Sequence, residues 1–229
     1  MNATILCYHK VGPGAEEGRR LNIEPDRLRT HVEFFARKKR PIVRACDLVD
    51  RWQQGTVCFT FDDAYQSTMV HAPQIFEEIG VRASFYAVPG KVGKTSDWDG
   101  DLARPLADWD LLLKAHQKGH EIGNHSMQHR KMGELDPEHQ KQEILRAHQA
   151  LESVGIQSRS FCYPYGSLND SAIQQLKQVR YTIGLALGKA IASDSDNRLK
   201  LPRIVVAYSD ALPMLLYKIT LKPLLKRRA

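Results

Sequence analysis

The chain has 229 residues, 42% of them hydrophobic, and a formal charge of +7 at pH 7. That length and apolar content fit one α/β domain, and no stretch approaches the ~20 apolar residues that span a bilayer as a helix. The basic excess is dispersed, with clusters only at residues 37–40 (RKKR) and 226–228 (KRR), and no nucleic-acid-binding motif accompanies it, so nucleic acid is not expected as a partner.

The start, MNATILCYHKVG, has no basic leader and too short an apolar run for a signal peptide. Cys7, Cys46, Cys58 and Cys162 show no metal-binding or redox spacing, and three of them sit inside apolar runs, where a free thiol behaves as a small hydrophobe. Together these features read as a cytoplasmic chain. Residues 3–9 (ATILCYH) read as a first strand ended by His9 and the turn VGPG. Pro25 opens a helix with Leu28, Val32 and Phe35 on its apolar stripe. Ile42 and Val43 suggest a short strand, and Leu48, Val49 and Trp52 a short helix.

Residues 56–63, TVCFTFDD, form the most informative stretch. A run of β-formers ends in two adjacent carboxylates, Asp62 and Asp63. Burying an unpaired carboxylate is costly, so both are expected at the strand's mouth, paired or on a metal. Neighbours in an extended chain point opposite ways, which lets the two acids hold different jobs. The plain alternative is that they cap the following helix. That helix, 67–79, stops at Gly80. A strand at 81–88 ends in Pro89-Gly90, and the polar loop 91–104 that follows is long enough to suggest a functional role. Then come a helix at 106–118, a strand at 120–125 (HEIGNH), a helix at 136–154, a strand at 159–166 (RSFCYPYG) and a helix at 170–179. YTIGLAL and LPRIVV are the last strand candidates. No repeat or linker interrupts the pattern, which reads as a single domain over 1–229 with a basic tail at about 210–229.

Strand and helix alternate, which predicts parallel strands with crossover helices. Seven or eight strands point to a TIM-like barrel, with an open doubly wound sheet as the alternative; GxGxxG and P-loop motifs are absent. Barrel chemistry sits at the C-terminal ends of strands, and there lie His9, Asp62, Asp63, His125, Pro164-Tyr165-Gly166 and Arg203. His125 and His129 are four residues apart in HSMQH. If Ser126 caps a helical turn, both imidazoles share one face, within reach of one ion. An Asp from another strand end then completes a two-His, one-carboxylate site with open positions. His31, His71, His116, His139 and His148 fall on expected helices and read as packing or surface residues, and His120 opens its strand at the far end.

TFDD (60–63), HSMQH (125–129) and YPYG (163–166), in that order, resemble the leading motifs of the polysaccharide deacetylases, the NodB-homology or carbohydrate esterase 4 family. CYHKV near the start and LPRIVV near the end resemble its bacterial branch related to biofilm-polysaccharide N-deacetylases. The resemblance implies an irregular (β/α)7 barrel and hydrolysis of acetyl groups from N-acetylated sugars. It implies a divalent metal, zinc first, held by Asp63, His125 and His129, with Asp62 as general base and the Tyr165 backbone N–H on the oxyanion. The chain departs from the pattern in three places. No histidine follows His148, so the late Leu-x-His acid is missing; Cys162 stands where many members have a supporting Arg; and Ala64 replaces a Gly. His9 is therefore expected as acid or substrate contact, or else as a brace for the first strand. Trp98 is a candidate sugar platform or a loop anchor. Pro164 and Arg203 are expected to contact substrate, the latter being a poor proton donor because it stays charged.

A silent sugar-binding or scaffold domain is the competing function, and an Fe(II) oxygenase a third, disfavoured by ligand order. The tail, with leucines interleaved among Lys218, Lys222, Lys226, Arg227 and Arg228, suggests contact with an anionic membrane. Its alternative is a helix packed on the barrel, with Pro213 and Pro223 limiting its continuity.

Overall fold

The computed structural model describes residues 1–188 and 190–226, with side chains in the last helix as far as Lys222; Arg227 and Arg228 of the tail lie outside this range. The first strand β1 (Asn2–Tyr8) leads through β2 (Lys10–Val11), the single helical turn α1 (Gly14–Glu17) and β3 (Asn22–Ile23) into α2 (Pro25–Arg37). Strand and helix then alternate: β4 (Thr56–Phe61), α3 (Gln66–Ile79), β5 (Ser84–Ala87), α4 (Trp109–Gln117), β6 (Glu121–Asn124), α5 (Pro137–Ser153), β7 (Ser160–Cys162), α6 (Asp170–Gln178) and β8 (Ile183–Leu185). The short β9 (Ala192–Ser193), β10 (Ile204–Val205) and α7 (Leu212–Lys226) complete the described chain.

The main sheet runs β10-β1-β4-β5-β6-β7-β8 with every neighbouring pair parallel, and β9 adds antiparallel to β1. From β1 to β8 the order follows the chain without reversing, so there is no switch point of the kind a doubly wound sheet has. The sheet curls into a half-barrel, and a single parallel bridge from Leu185 to Leu201 crosses the gap between its ends. This is the irregular (β/α)7 architecture expected from the sequence.

Alternation within the strands sorts side chains into two layers. Val57, Phe59 and Phe61 of β4 face outward, where Phe59 and Phe61 meet Phe76 of α3 at 5.2 and 5.8 Å between ring centroids. Burying such a ring contributes about 2–3 kcal/mol. Cys58 points inward and packs with Ala3, Ile5, Tyr86, Cys162 and Leu185. Side-chain caps fix the starts of α4, α5 and α6: Asp108 accepts from Leu111 N, Asp136 from His139 N and Asn169 from Ala172 N.

Several expected boundaries shift. Ile42 makes only an isolated bridge to Val57, and Trp52 lies beyond the 3₁₀ turn Ala45–Val49. LPRIVV shortens to a two-residue strand, so Arg203 precedes β10 instead of lying in it. The tail, expected to break at its prolines, is helical past Pro223; Leu215 is buried in the core and Ile219 packs against it. Among the described residues no helix is long and apolar enough to cross a membrane.

Candidate active site

The inward series of three strands all run out at the same mouth. On β1 the inward residues are Ala3, Ile5 and Cys7, and His9 is next in step. On β4 they are Cys58 and Thr60, then Asp62. On β6 Glu121 bonds interior Ser84 and Ser160, Gly123 lies against Tyr86, and His125 follows two residues later. Strand parity alone thus delivers an imidazole, a carboxylate and a second imidazole to one cleft. That cleft has a volume of about 250 Å³ and is lined by His9, Asp62, Asp63, His125 and His129, with Trp98, Tyr165 and Leu187 from the loops after β5, β7 and β8. Larger hollows lie elsewhere, about 390 Å³ between α3 and α4 and about 500 Å³ at the opposite end of the barrel, but neither gathers such groups.

The two aspartates part at the strand's end. Asp62 stays in strand register, whereas Asp63 and Ala64 adopt left-handed backbone (φ 70° and 51°) and turn the chain toward β6. A left-handed Ala64 also explains why a glycine suits this position. Asp63 Oδ1 comes to lie 3.4 Å from His125 Nε2 and 3.1 Å from His129 Nε2, all three residues being buried. His125 places Nδ1 2.7 Å from the Cys162 carbonyl, which fixes the ring as a donor there and leaves Nε2 as an acceptor toward Asp63. Asp63 Oδ1 has no hydrogen-bond donor among the described residues. Three acceptor atoms thus converge within 4.8 Å of one another, an arrangement that suits a cation between them. Burial works against charge on His125, but the neighbouring carboxylates of Asp63 and Asp62 outweigh it and raise its pKa. The same field draws any positive charge placed there.

The histidine pair does not ride on a helical turn capped by Ser126, as its spacing suggested. Residues 125–130 form an irregular loop in which Ser126 and His129 are left-handed, at φ 65° and 57°. Asn124 Oδ1 accepts from Ser126 N, while Met127 N and Gln128 N donate to the backbone carbonyl and side chain of Glu143 on α5. Gly90 packs so closely beneath the loop that a Cβ would stand 2.4 Å from the Met127 carbonyl oxygen. Left-handed backbone at Asp63, Ser126, His129 and Tyr165 is costly for non-glycine residues and concentrates at this mouth, as strain does at functional sites.

Asp62 is held by a different set of partners. Arg203 grips it bidentately, Nη1 to Oδ1 and Nη2 to Oδ2, each at 2.7 Å. The thiols of Cys162 and Cys7 approach the same two oxygens at 3.4 and 3.5 Å. Burial pushes the Asp62 carboxyl up, but the Arg203 charge and hydrogen bonds outweigh it and hold the group well below the usual carboxylate range. Arg203, expected to contact substrate, is instead fully buried, with Thr60 Oγ1 and the Ala186 carbonyl as further partners. A guanidinium enclosed this way has no face left for a sugar. Pro164 is likewise buried in its 3₁₀ turn and does not line the cleft. The lone arginine in the apolar run LPRIVV was the available signal for the pair, since a buried cation needs a counter-charge.

Trp98 lies in the 3₁₀ segment Asp97–Leu102 with its ring 4.0 Å from that of His129, and the ring of Tyr165, nearly half exposed, is 4.6 Å from the same imidazole. Arg20, Leu21, Asp99 and Val205 also line the cleft; nothing in their local sequence marked them.

Removing the guanidinium with Arg203→Leu should cost about 3–5 kcal/mol by leaving a buried carboxylate unpaired. The pair also sets an acid limit. Because the folded-state pKa of Asp62 is depressed, its contribution is full above about pH 4 and is lost as pH falls through the folded value. Denaturant titrations across this range should show that acid loss in the native chain and a flatter dependence in Arg203→Leu.

Known proteins share this fold. The polysaccharide deacetylase family description matches residues 50–184, more than half of the chain. The poly-beta-1,6-N-acetyl-D-glucosamine N-deacetylase of Staphylococcus epidermidis is 21% identical over 246 residues, covering 94% of this chain and 82% of that protein. The Streptococcus pyogenes deacetylase PplD, solved with acetate, superposes with a TM-score of 0.81 at 20% identity over 96% of this chain and 98% of that one. IcaB from Ammonifex degensii superposes at 0.76 with 20% identity, over 93% and 95%. At such identities the structural likenesses show the fold; the sequence match reaches from before β4 to within β8 and takes in the aspartates, the histidine loop and Tyr165. The chain belongs to the polysaccharide deacetylase family, hydrolases that remove acetyl groups from N-acetylated sugars.

Proposed function

We propose that this chain is a metal-dependent N-deacetylase acting on an N-acetylated glycan or glycolipid. The observation that carries the reading is the undonated Asp63 Oδ1 facing Nε2 of both His125 and His129 in the cleft. Asp63, His125 and His129 would hold a divalent ion, and two imidazoles with one carboxylate suit zinc. When bound, such an ion acidifies water and polarises the acetyl carbonyl.

Asp62 takes the proton of the attacking water. Its low pKa keeps it ionised at every working pH, and Arg203 fixes its orientation, which supports a base that acts by placement. The Tyr165 backbone N–H, set by a left-handed residue beside His129, donates to the developing oxyanion, a contact worth about 3–4 kcal/mol. Trp98 and Tyr165 offer ring faces for the sugar. The cleft is smaller than the ~300–1,000 Å³ of sites that enclose whole ligands, which supports one sugar unit inside and the remaining glycan across the open mouth. The Staphylococcus epidermidis relative, by its name, supports an N-acetylglucosamine polymer as the substrate class.

His9 supplies the missing acid. A ring nitrogen lies within 4.8 Å of the Asp62 carboxylate, and Nδ1 is buried with no partner among the described residues. Burial lowers its pKa, so it is neutral at rest; the water's proton, taken by Asp62, passes to His9 and from it to the leaving amine. Because the working form at rest is neutral, His9→Gln should flatten the acid limb of the pH–rate profile and leave metal content unchanged. An unchanged profile would return His9 to bracing β1.

Acetate release by metal-loaded protein from a panel of N-acetylated glycans tests the function as a whole. Release from at least one is expected; sugar binding without release from any would establish the silent sugar-binding domain instead.

A further inference from the structure

The last helix has an outer face that the barrel does not use. Leu215 and Ile219 pack inward on the core, while Met214, Tyr217 and Leu221 are 45%, 40% and 55% exposed. Their spacing of three and four residues sets the three on one stripe, flanked by exposed Pro213 and Thr220, and no charge interrupts it. Lys218, which is ion-paired with buried Asp210, and Lys222 border the stripe and line a hollow with Ile204 and Val205 of β10. From residue 211 onward the sequence has five cations (Lys218, Lys222, Lys226, Arg227 and Arg228) and no acid.

We propose that this face of α7 docks on an anionic lipid surface. An apolar stripe edged by cations matches such a membrane, where ring and methyl groups enter the headgroup boundary, and Lys222 with the basic residues that follow it in sequence meets the anionic heads. Charge weighs against a second copy of the chain, because an antiparallel two-fold pairing of the stripe sets the Lys222 edges of both helices against each other. Lys218 also donates to the Val205 carbonyl, and Val205 lines the catalytic cleft, so one short strand separates the docked edge from the site. Docking there brings the mouth close to the lipid plane, which suits a substrate held at a membrane.

Vesicle flotation of the full chain tests the proposal without requiring turnover. Vesicles of phosphatidylcholine with about a third phosphatidylglycerol should bind the protein at low salt, pure phosphatidylcholine should not, and added salt should release it. A Met214→Ser/Tyr217→Ser/Leu221→Ser variant alters exposed positions only and should bind the anionic vesicles at least ~10-fold more weakly with an unchanged melting profile. Equal binding by the variant, or no binding of the native chain at low salt, would overturn the proposal. So would a concentration-dependent dimer in sedimentation that the triple variant abolishes, since a second copy would then occupy the face.

Discussion

Asp63→Ala should strip the protein of metal and of activity together. Asp63 is the only carboxylate within reach of both His125 and His129 in the three-residue cluster. Its loss leaves two neutral imidazoles, which hold a divalent ion far less firmly than a closed set of three. Metal content after dialysis should fall to near background, and acetate release by at least ~100-fold. His125→Ala and His129→Ala should behave alike, since each removes one of the same donors. Full metal content in all three single variants would show that the cluster is not the site.

The second large effect belongs to Asp62→Asn. An amide cannot accept the water's proton, and general-base losses run at ~10²–10⁴-fold in turnover. The ion pair with Arg203 adds a structural cost to the catalytic one. Asn presents one carbonyl oxygen to a buried guanidinium that needs a full counter-charge, so unfolding free energy should also fall by about 3–5 kcal/mol. The informative comparison is turnover per folded, metal-loaded molecule, with Arg203→Leu as the control that breaks the same pair and keeps the carboxylate. Near-normal turnover in folded Asp62→Asn would remove Asp62 from the base role.

These two aspartates also show what the sequence could convey. TFDD was legible because an apolar strand ending in acids has few physical solutions, and the alternation of elements carried the parallel order of the sheet. Parity along β1, β4 and β6 accounts for His9, Asp62 and His125 reaching one mouth. The pairing of Asp62 with Arg203 joins residues 141 apart in sequence, a contact that no local pattern encodes. The histidine loop misled for a local reason. Four-residue spacing suggests a helical turn, whereas left-handed Ser126 and His129 are held by Asn124, by Glu143 of α5 and by the close approach of Gly90, contacts that exist only after folding. Strands of two residues, such as β2, β3 and β9, are too short to show a period.

The central claim, a metal held by Asp63, His125 and His129 and used to remove acetyl groups, is tested most directly by one titration. Acetate release from an N-acetylglucosamine oligomer should be followed while the purified protein is depleted with a chelator and then reloaded with zinc. The account predicts that activity falls with metal content, returns in proportion to about one equivalent of zinc, and cannot be restored in Asp63→Ala. Acetate release that persists in the fully depleted protein would contradict it.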